Sequence, residues 1–451
     1  MTLVARNEGA TRDRMRTPAI ETMAPDAIAS LQGERLRAQL AYVTARSPFY
    51  ERKWQAAGFD PGSVRTAADL SAAPLTEKDE LRASQAAAPP LGTHAAATLA
   101  DVIRVHSTSG TTGRPSYIGI TRADADQWTE SLARVFWCEG VRREDVFVHA
   151  IGLSFFVGGL PVKDAIESIG ATFVPIGTGA SERLVQATEA LGGSVLFCTP
   201  SYAFYLAEKL VEAGTDPRSL GFRLLTLGAE PGGGIPELRA RLERLYGARV
   251  TEAYGNGDVL PAFAATCAAA DGNHFLAPDF ALLELIDADS GEVLPWEDGA
   301  RGELVATHLA RECCPLVRFR TRDHVVVKTS PCPCGRTGPR WICEGRTDDM
   351  LIVAGVNVWP SAVSDVVGGF APRTTGALRI LVDVEGPAVP PPLRIRAEHG
   401  DDAGDLTALR RELEERIRAK LVVKAEVELV PPRTLERFEM KARYVERTDA
   451  T

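Results

Sequence analysis

No stretch of about eighteen consecutive apolar residues occurs in the 451-residue chain, so nothing in it reads as a membrane-spanning helix. The first sixteen residues carry charges and are followed by no apolar run, which excludes a secretory leader and reads as a frayed tail. Basic excess is also missing. Lys and Arg total 51 against 60 Asp and Glu, a net charge of -9, which argues against a broad nucleic-acid surface while leaving room for a local basic channel. Eight cysteines in so long a chain without an export signal do not form a disulfide framework. There is no internal repeat, and a 45% hydrophobic content with 40 Gly and 29 Pro excludes collagenous, low-complexity and largely disordered chains. A soluble cytoplasmic protein is expected, and at roughly 150 residues per domain its length suggests about two to four domains.

Leu31, Leu36, Leu40 and Val43 fall close to helical spacing, and Ser47-Pro48 breaks the pattern. Between about residues 100 and 310, short apolar runs (146–148, 172–175, 195–198, 223–227) alternate with helix-like segments (182–191, 237–246). Such alternation predicts a largely parallel α/β sheet. Strand-like pieces separated by turns follow at 281–286, 302–307 and 324–329. Beyond Gly345 the texture changes to a Pro-rich stretch, a helix with Leu406, Leu409, Leu413, Ile417 and Leu421 on one face, and a strand at 426–430. The expected fold class is α/β, with a tail at 1–26, a large α/β domain with a β-rich subdomain at 27–345, and a small mobile α+β lid at 346–451.

The most informative segment follows the apolar run 102–105. It reads Ser107, Thr108, Ser109, Gly110, Thr111, Thr112, Gly113, Arg114, Pro115. Two glycines let the backbone approach a ligand, and exposed N–H groups with hydroxyl donors suit a polyphosphate. It is not the G-x-x-x-x-G-K-[ST] nucleotide loop, because the Lys is missing and the spacing differs.

With that loop in view, the chain resembles the adenylate-forming (acyl-CoA synthetase-like) superfamily, in particular its phenylacetate–CoA ligase-like branch, from about Ala27 to Arg447. The opening helix around Leu36–Val43 with Ser47–Tyr50, and the stretch Leu75–Leu81, look like that branch. The resemblance implies the following roles. Gly228, Ala229, Glu230 and Pro231 form the turn beside the adenine. Tyr254 and Gly255 open the motif whose aromatic stacks near the base, and Asp258, one methylene shorter than the family's usual Glu, helps hold Mg²⁺. Asp323 accepts both ribose hydroxyls, although a turn-forming Asp is the plain alternative. Arg346 lies beside the ribose, Asp348 is the hinge, and Gly355 and Asn357 line the thiol channel. Lys441 is the catalytic lysine.

His149, Phe155, Phe156, Gly158 and Gly159 are the candidate acyl pocket, the phenylalanines packing on an aromatic ring and the glycines leaving room for it. An ordinary strand–helix junction is the competing reading. Cys332 and Cys334, joined by Cys267 and His274, compose a Cys₃His set suited to structural zinc. Reduced thiols are the alternative, and Cys313, Cys314 and Cys343 are substitutes for any of the four.

The resemblance therefore implies ATP-dependent activation of a carboxylic acid, aryl or arylacetic by preference, as its adenylate. Thioester formation with coenzyme A follows, using ATP, Mg²⁺ and a structural Zn²⁺. Delivery to a carrier-protein phosphopantetheine or an amine, and a catalytically silent nucleotide-binding regulator, are the other readings. No nucleic-acid or membrane partner is expected, and a homodimer stays open.

Overall fold

The computed structural model describes residues 15–108, 116–384, 386–437 and 443–447. Its contacts group the chain into two compact units, residues 1–197 with 251–342, and residues 198–250 with 343–451.

After a four-residue helix at Pro18–Glu21, the first unit continues with α1 (Pro25–Arg46) and α2 (Pro48–Ala57), both with Pro at the first helical position, where its missing N–H costs nothing. Pro48 ends one helix and starts the next. Leu36, Leu40 and Val43 are buried with Tyr50, Trp54, Leu282, Leu309 and Val317, as helical spacing of the apolar residues predicts. Helix α3 (Lys78–Ala87) begins in a capping box between Glu77 and Glu80. Strands β1 (Arg104–Thr108) and β2 (Ser116–Ile120) pair antiparallel with Thr108 opposite Ser116. The strand thus runs on through the first two hydroxyl residues of the 107–115 segment.

Helix α4 (Arg122–Glu139) then leads into an alternating series of β3 (Val146–His149), α5 (Leu160–Ile169), β4 (Thr172–Pro175), α6 (Ser181–Leu191) and β5 (Val195–Cys198). β3 pairs in parallel with both β4 and β5, and its apolar residues are covered on both faces. The chain passes into the second unit as α7 (Pro200–Glu212), β6 (Leu224–Leu227) and α8 (Pro236–Tyr246), and returns along β7 (Arg249–Asn256). Antiparallel pairing now dominates. β8 (Leu260–Thr266) joins β7 to β9 (Asn273–Phe275), and β10 (Ala281–Ile286) pairs with both β11 (Val293–Leu294) and β12 (Arg301–His308). β12 pairs with β13 (Phe319–Lys328), and β14 (Arg340–Arg346) pairs with β9.

In the second unit, β15 (Leu351–Val353) and β16 (Val356–Val358) form a hairpin followed by α9 (Pro360–Gly368). Next come β17 (Thr374–Val382), β18 (Ala388–Val389), which pairs with β15, and β19 (Leu393–His399). Helix α10 (Leu406–Leu421), β20 (Ala425–Val430) and β21 (Val445–Arg447) complete a sheet of order β20-β19-β17-β21. Leu409, Leu413 and Ile417 are fully buried against Leu378, Ile380, Leu393 and Ile395. Leu406, expected on the same face, is 40% exposed because it is the first helical residue, short of the sheet. Among the described residues, no helix is long and apolar enough to cross a membrane.

Candidate functional site

In the first unit the residues with chemistry are carried by α3, by strands β1, β2, β7 and β13, and by the β7–β8 turn. Ser107 donates its backbone N–H to the carbonyl of Phe155 at 3.0 Å, and His106 Nδ1 lies 3.2 Å from the same oxygen. The loop bearing Phe155 is thereby tied to the strand that leads into the hydroxyl-rich segment. On the other strand, Gln85 of α3 accepts from Ser116 Oγ at 3.0 Å and donates to Tyr117 O at 2.6 Å. Ser109, Gly110, Thr111, Thr112 and Gly113 lie outside the described residues, as does Lys441.

Tyr254, buried near the end of β7, donates its hydroxyl to Asp323 Oδ2 at 2.8 Å. Its ring stands edge-on to Phe263 and Trp341, with centroids 5.4 and 5.5 Å away, an arrangement that fixes aromatic rings. Asp323 sits in β13, where buried and half-buried residues alternate as a strand requires. A register shift in the β12–β13 pair leaves Arg322 at a left-handed φ of 64°, uncommon for a non-glycine residue and concentrated at functional sites. Gly255 has its own reason. A Cβ there would lie 2.1 Å from Pro261 O, so only glycine lets β7 and β8 approach at this turn.

Asp258, in the same turn, accepts from Lys78 Nζ at 2.5 Å. Glu77 accepts from Arg320 at 3.3 Å and Arg322 at 2.6 Å, and Arg320 reaches Glu303 at 2.6 Å. These charged partners were not assigned a role from sequence. One signal was there: Lys78 opens α3, where the helix dipole disfavours a cation, so a lysine there needs a carboxylate nearby.

At the candidate acyl pocket, His149 and Gly159 are both enclosed. His149 is fully buried at the end of β3, its Nε2 2.8 Å from Gly158 O and its ring between Phe173 and Phe197. Burial pushes its pKa down to about 4, so it is neutral and braces the loop through Gly158. At Gly159 a Cβ would meet Gly152 O at 2.8 Å and Leu153 Cα at 2.9 Å, so the space expected there is filled by backbone. Gly158 does have space, its nearest neighbour being Ile151 Cγ2 at 3.7 Å. Phe155 is 55% exposed and Phe156 is half-buried.

In the second unit, Gly228 follows β6 and donates to Cys198 O at 3.2 Å, Ala229 is left-handed at φ 70°, and Pro231 follows in the turn. Glu230 is buried and accepts from Ser201 N at 2.7 Å, placing a carboxylate at the start of α7, where the helix dipole favours it. Arg346 ends β14 and pairs with Asp348 at 3.2 Å, both partly exposed. Gly355 is in the β15–β16 turn, and Asn357 is exposed opposite Ile352.

A separate cluster joins Cys267, His274, Cys332 and Cys334, whose ligand atoms all lie within 4.8 Å of one another. Cys267 Sγ is 3.5 Å from Cys332 Sγ, and Cys334 Sγ is 3.4 Å from His274 Nε2. Zn–S bonds of about 2.3 Å and Zn–N bonds of about 2.0 Å at tetrahedral angles put neighbouring ligand atoms about 3.5–3.8 Å apart, so the donor set fits zinc. Cys313 and Cys314 pack instead with Leu91, and Cys343 belongs to the other unit.

Residues 27–308 match the AMP-binding enzyme family, and residues 355–447 match the AMP-binding enzyme C-terminal domain. The chain is 34% identical over 442 residues to a phenylacetate-coenzyme A ligase of Thermus thermophilus, covering 94% of this chain and 97% of the relative. It is 33% identical to a phenylacetate-coenzyme A ligase of Pseudomonas putida, covering 96% of this chain and 97% of that one. Among solved structures, a 2-hydroxyisobutyryl-CoA ligase in its postadenylation state with 2-HIB-AMP matches at 32% identity and a TM-score of 0.90, over 97% of this chain and 93% of the other. The same ligase with 2-HIB-AMP and CoA in its thioesterification state matches at 33% identity and 0.71, with the same coverage.

Proposed function

The chain belongs to the AMP-binding enzyme family as an AMP-forming acid–coenzyme A ligase, and from that premise we propose that its acid is an arylacetic or aryl acid, phenylacetate in the first instance. The observation that carries the proposal is the 3.0 Å bond from Ser107 N to Phe155 O. It ties the backbone of Phe155, whose ring is 55% exposed, to the strand that leads into the phosphate segment, and in this reading that ring is offered to an aromatic acid. The near full-length match to phenylacetate ligases supports the same choice.

The reaction runs in two halves. A carboxylate oxygen attacks the α-phosphorus, the bond to the bridging oxygen breaks, and pyrophosphate leaves with its electron pair. The coenzyme A thiol then attacks the acyl carbon of the adenylate, loses its proton and expels AMP. Positioning and charge compensation supply most of the catalysis in such transfers. In this reading, residues 107–113 bind the phosphates through N–H and hydroxyl donors. Asp323, already held by Tyr254 and its neighbours, receives the ribose hydroxyls. Gly228, Ala229, Glu230 and Pro231 flank the base, and Arg346 meets the ribose. Lys441 contributes the cation between the carboxylate and the α-phosphate. Asp258 would hold Mg²⁺, which when bound offsets charge on the phosphates. Asp348 is the hinge of a lid formed by residues 346–451, and Gly355 and Asn357 line the thiol's approach. Cys267, His274, Cys332 and Cys334 would hold Zn²⁺ in a closed four-ligand site without an open position for substrate, which makes it structural.

The acid assignment is tested by steady-state kinetics on phenylacetate and 2-hydroxyisobutyrate with the native chain and Phe155→Ala. Phenylacetate should be preferred, and the substitution should erode that preference about tenfold through KM. Preference for the hydroxy acid, or a preference untouched by the substitution, would contradict it.

A further inference from the structure

Arg437 lies four residues before Lys441 and has every guanidinium N–H engaged. Its Nε donates to Glu208 Oε2 at 2.9 Å, and one terminal nitrogen reaches Glu208 Oε1 at 3.4 Å. The terminal nitrogens also bond Glu398 Oε1 at 2.9 Å and Oε2 at 2.7 Å, and one of them bonds Leu435 O at 2.9 Å. Both acceptors are carboxylates, but they belong to different parts of the sequence. Glu398, on β19, is fully buried and also accepts from Leu435 N at 2.6 Å and Thr375 Oγ1 at 3.0 Å. It belongs to the same C-terminal segment as Arg437. Glu208 lies on α7, outside that segment, and its side chain is 36% exposed.

Other ties run from α7 and α8 to the C-terminal segment. Arg241 donates to Thr375 O, and Gly376 accommodates its guanidinium, since a Cβ there would lie 2.1 Å from it. Lys420 approaches Glu237 at 3.8 Å, and Arg433 meets Glu212 at 3.3 Å with 77% of the arginine side chain exposed. Partly exposed ion pairs are weak enough to be made and broken once per turnover, and a forked Arg–carboxylate pair fixes direction as well as distance.

We propose that Glu208 and Arg437 are positioning residues for the adenylation half-reaction: their bridge holds the chain that enters residues 438–442 against α7 while the acid is activated, and it opens for the thioester step. The proposal rests on the acid–coenzyme A ligase reading.

The test separates the half-reactions in the full-length protein. Glu208→Gln keeps the shape of the side chain and removes its charge. It should lower phenylacetate-dependent ATP–pyrophosphate exchange about tenfold, while single-turnover transfer from preformed phenylacetyl-adenylate to coenzyme A stays unchanged or quickens. Arg437→Lys, which retains charge but loses the fork, should behave likewise. Equal losses in both half-reactions, or no loss in exchange, would overturn the proposal. Trypsin cleavage after Arg437 in the substrate-free protein gives a readout that does not depend on the acid. It should be severalfold faster in Glu208→Gln, and an unchanged rate overturns the bridge even if the acid proves to be another. Absence of exchange in the native chain with every acid tried would contradict the ligase reading instead.

Discussion

Lys78 Nζ lies 2.5 Å from Asp258 Oδ1 across 180 residues of sequence, so the carboxylate proposed to hold Mg²⁺ already has a cation as its partner. Both side chains are largely buried, at 20% and 14% exposure, and the pair closes the first turn of α3 onto the β7–β8 turn. A metal ion arriving at Asp258 competes with this ammonium group.

Lys78→Met should therefore reduce the Mg²⁺ concentration needed for half-maximal pyrophosphate exchange. Taking the pair as worth about 1 kcal/mol, the shift is roughly fivefold. Mg²⁺ titration of the exchange rate measures it. An unchanged requirement would remove Asp258 from the metal site.

The Cys₃His cluster should bind one zinc ion per chain, as elemental analysis of the purified protein can establish. Cys332→Ser should lose the metal, whereas Cys313→Ser, in a different cluster, should keep it. Stripping zinc should lower Tm by about 4 °C or more, since 1 kcal/mol moves a unit of 150–250 residues by about 2–4 °C. The adenylation rate per folded molecule should hold, because the site offers no open coordination position. Full Tm after chelation would contradict a structural metal.

His308 links pH to stability through a locked tautomer. Its Nε2 donates to Val259 O at 2.8 Å, and its Nδ1 accepts from Leu316 N at 3.0 Å. A proton on Nδ1 would displace that N–H. Burial first, and then Arg311, hold its pKa down to about 3. The unfolded chain, with histidine near pKa 6.5, binds this proton more readily. Stability from His308 is therefore complete above about pH 6.5 and is lost as pH falls toward 3. His149, at about 4, adds to the loss in the same direction. Denaturant unfolding between pH 7 and 4 should show stability falling with acid, and His308→Asn should flatten the slope. A profile unaffected by that substitution would contradict the assignment.

Lys441→Ala should reduce adenylation at least a hundredfold, while transfer from a preformed acyl-adenylate to coenzyme A continues. Rapid-quench measurement of each half-reaction separates the two. Adenylation at the native rate would mean that another cation serves the α-phosphate.

The alternating α/β texture was legible because each strand and helix announces itself within a few residues. The β3–α5–β4–α6–β5 series follows from short apolar runs and the helical patterns between them. The Cys₃His set was legible for a related reason: soft ligands are few in this chain, and Cys332 and Cys334 share a tight turn. What escaped the sequence is long-range. Nothing near Lys78 names Asp258, and nothing near Arg437 names Glu208. Those partners depend on how distant elements pack. Gly159 has a packing reason that its own neighbours in sequence do not announce: a Cβ there would meet Gly152 O at 2.8 Å and Leu153 Cα at 2.9 Å. Leu406 satisfies the helical period yet lies at the helix's first residue, beyond the reach of the sheet.

The most direct measurement of the central claim is pyrophosphate release from ATP across aryl, arylacetic and short aliphatic acids, with and without coenzyme A. The account predicts release that requires an arylacetic or aryl acid, phenylacetate foremost, and multiple turnover with the matching acyl-coenzyme A thioester only when coenzyme A is added. Release that ignores the acid, or an acid-dependent release that coenzyme A neither accelerates nor converts to a thioester, would contradict it.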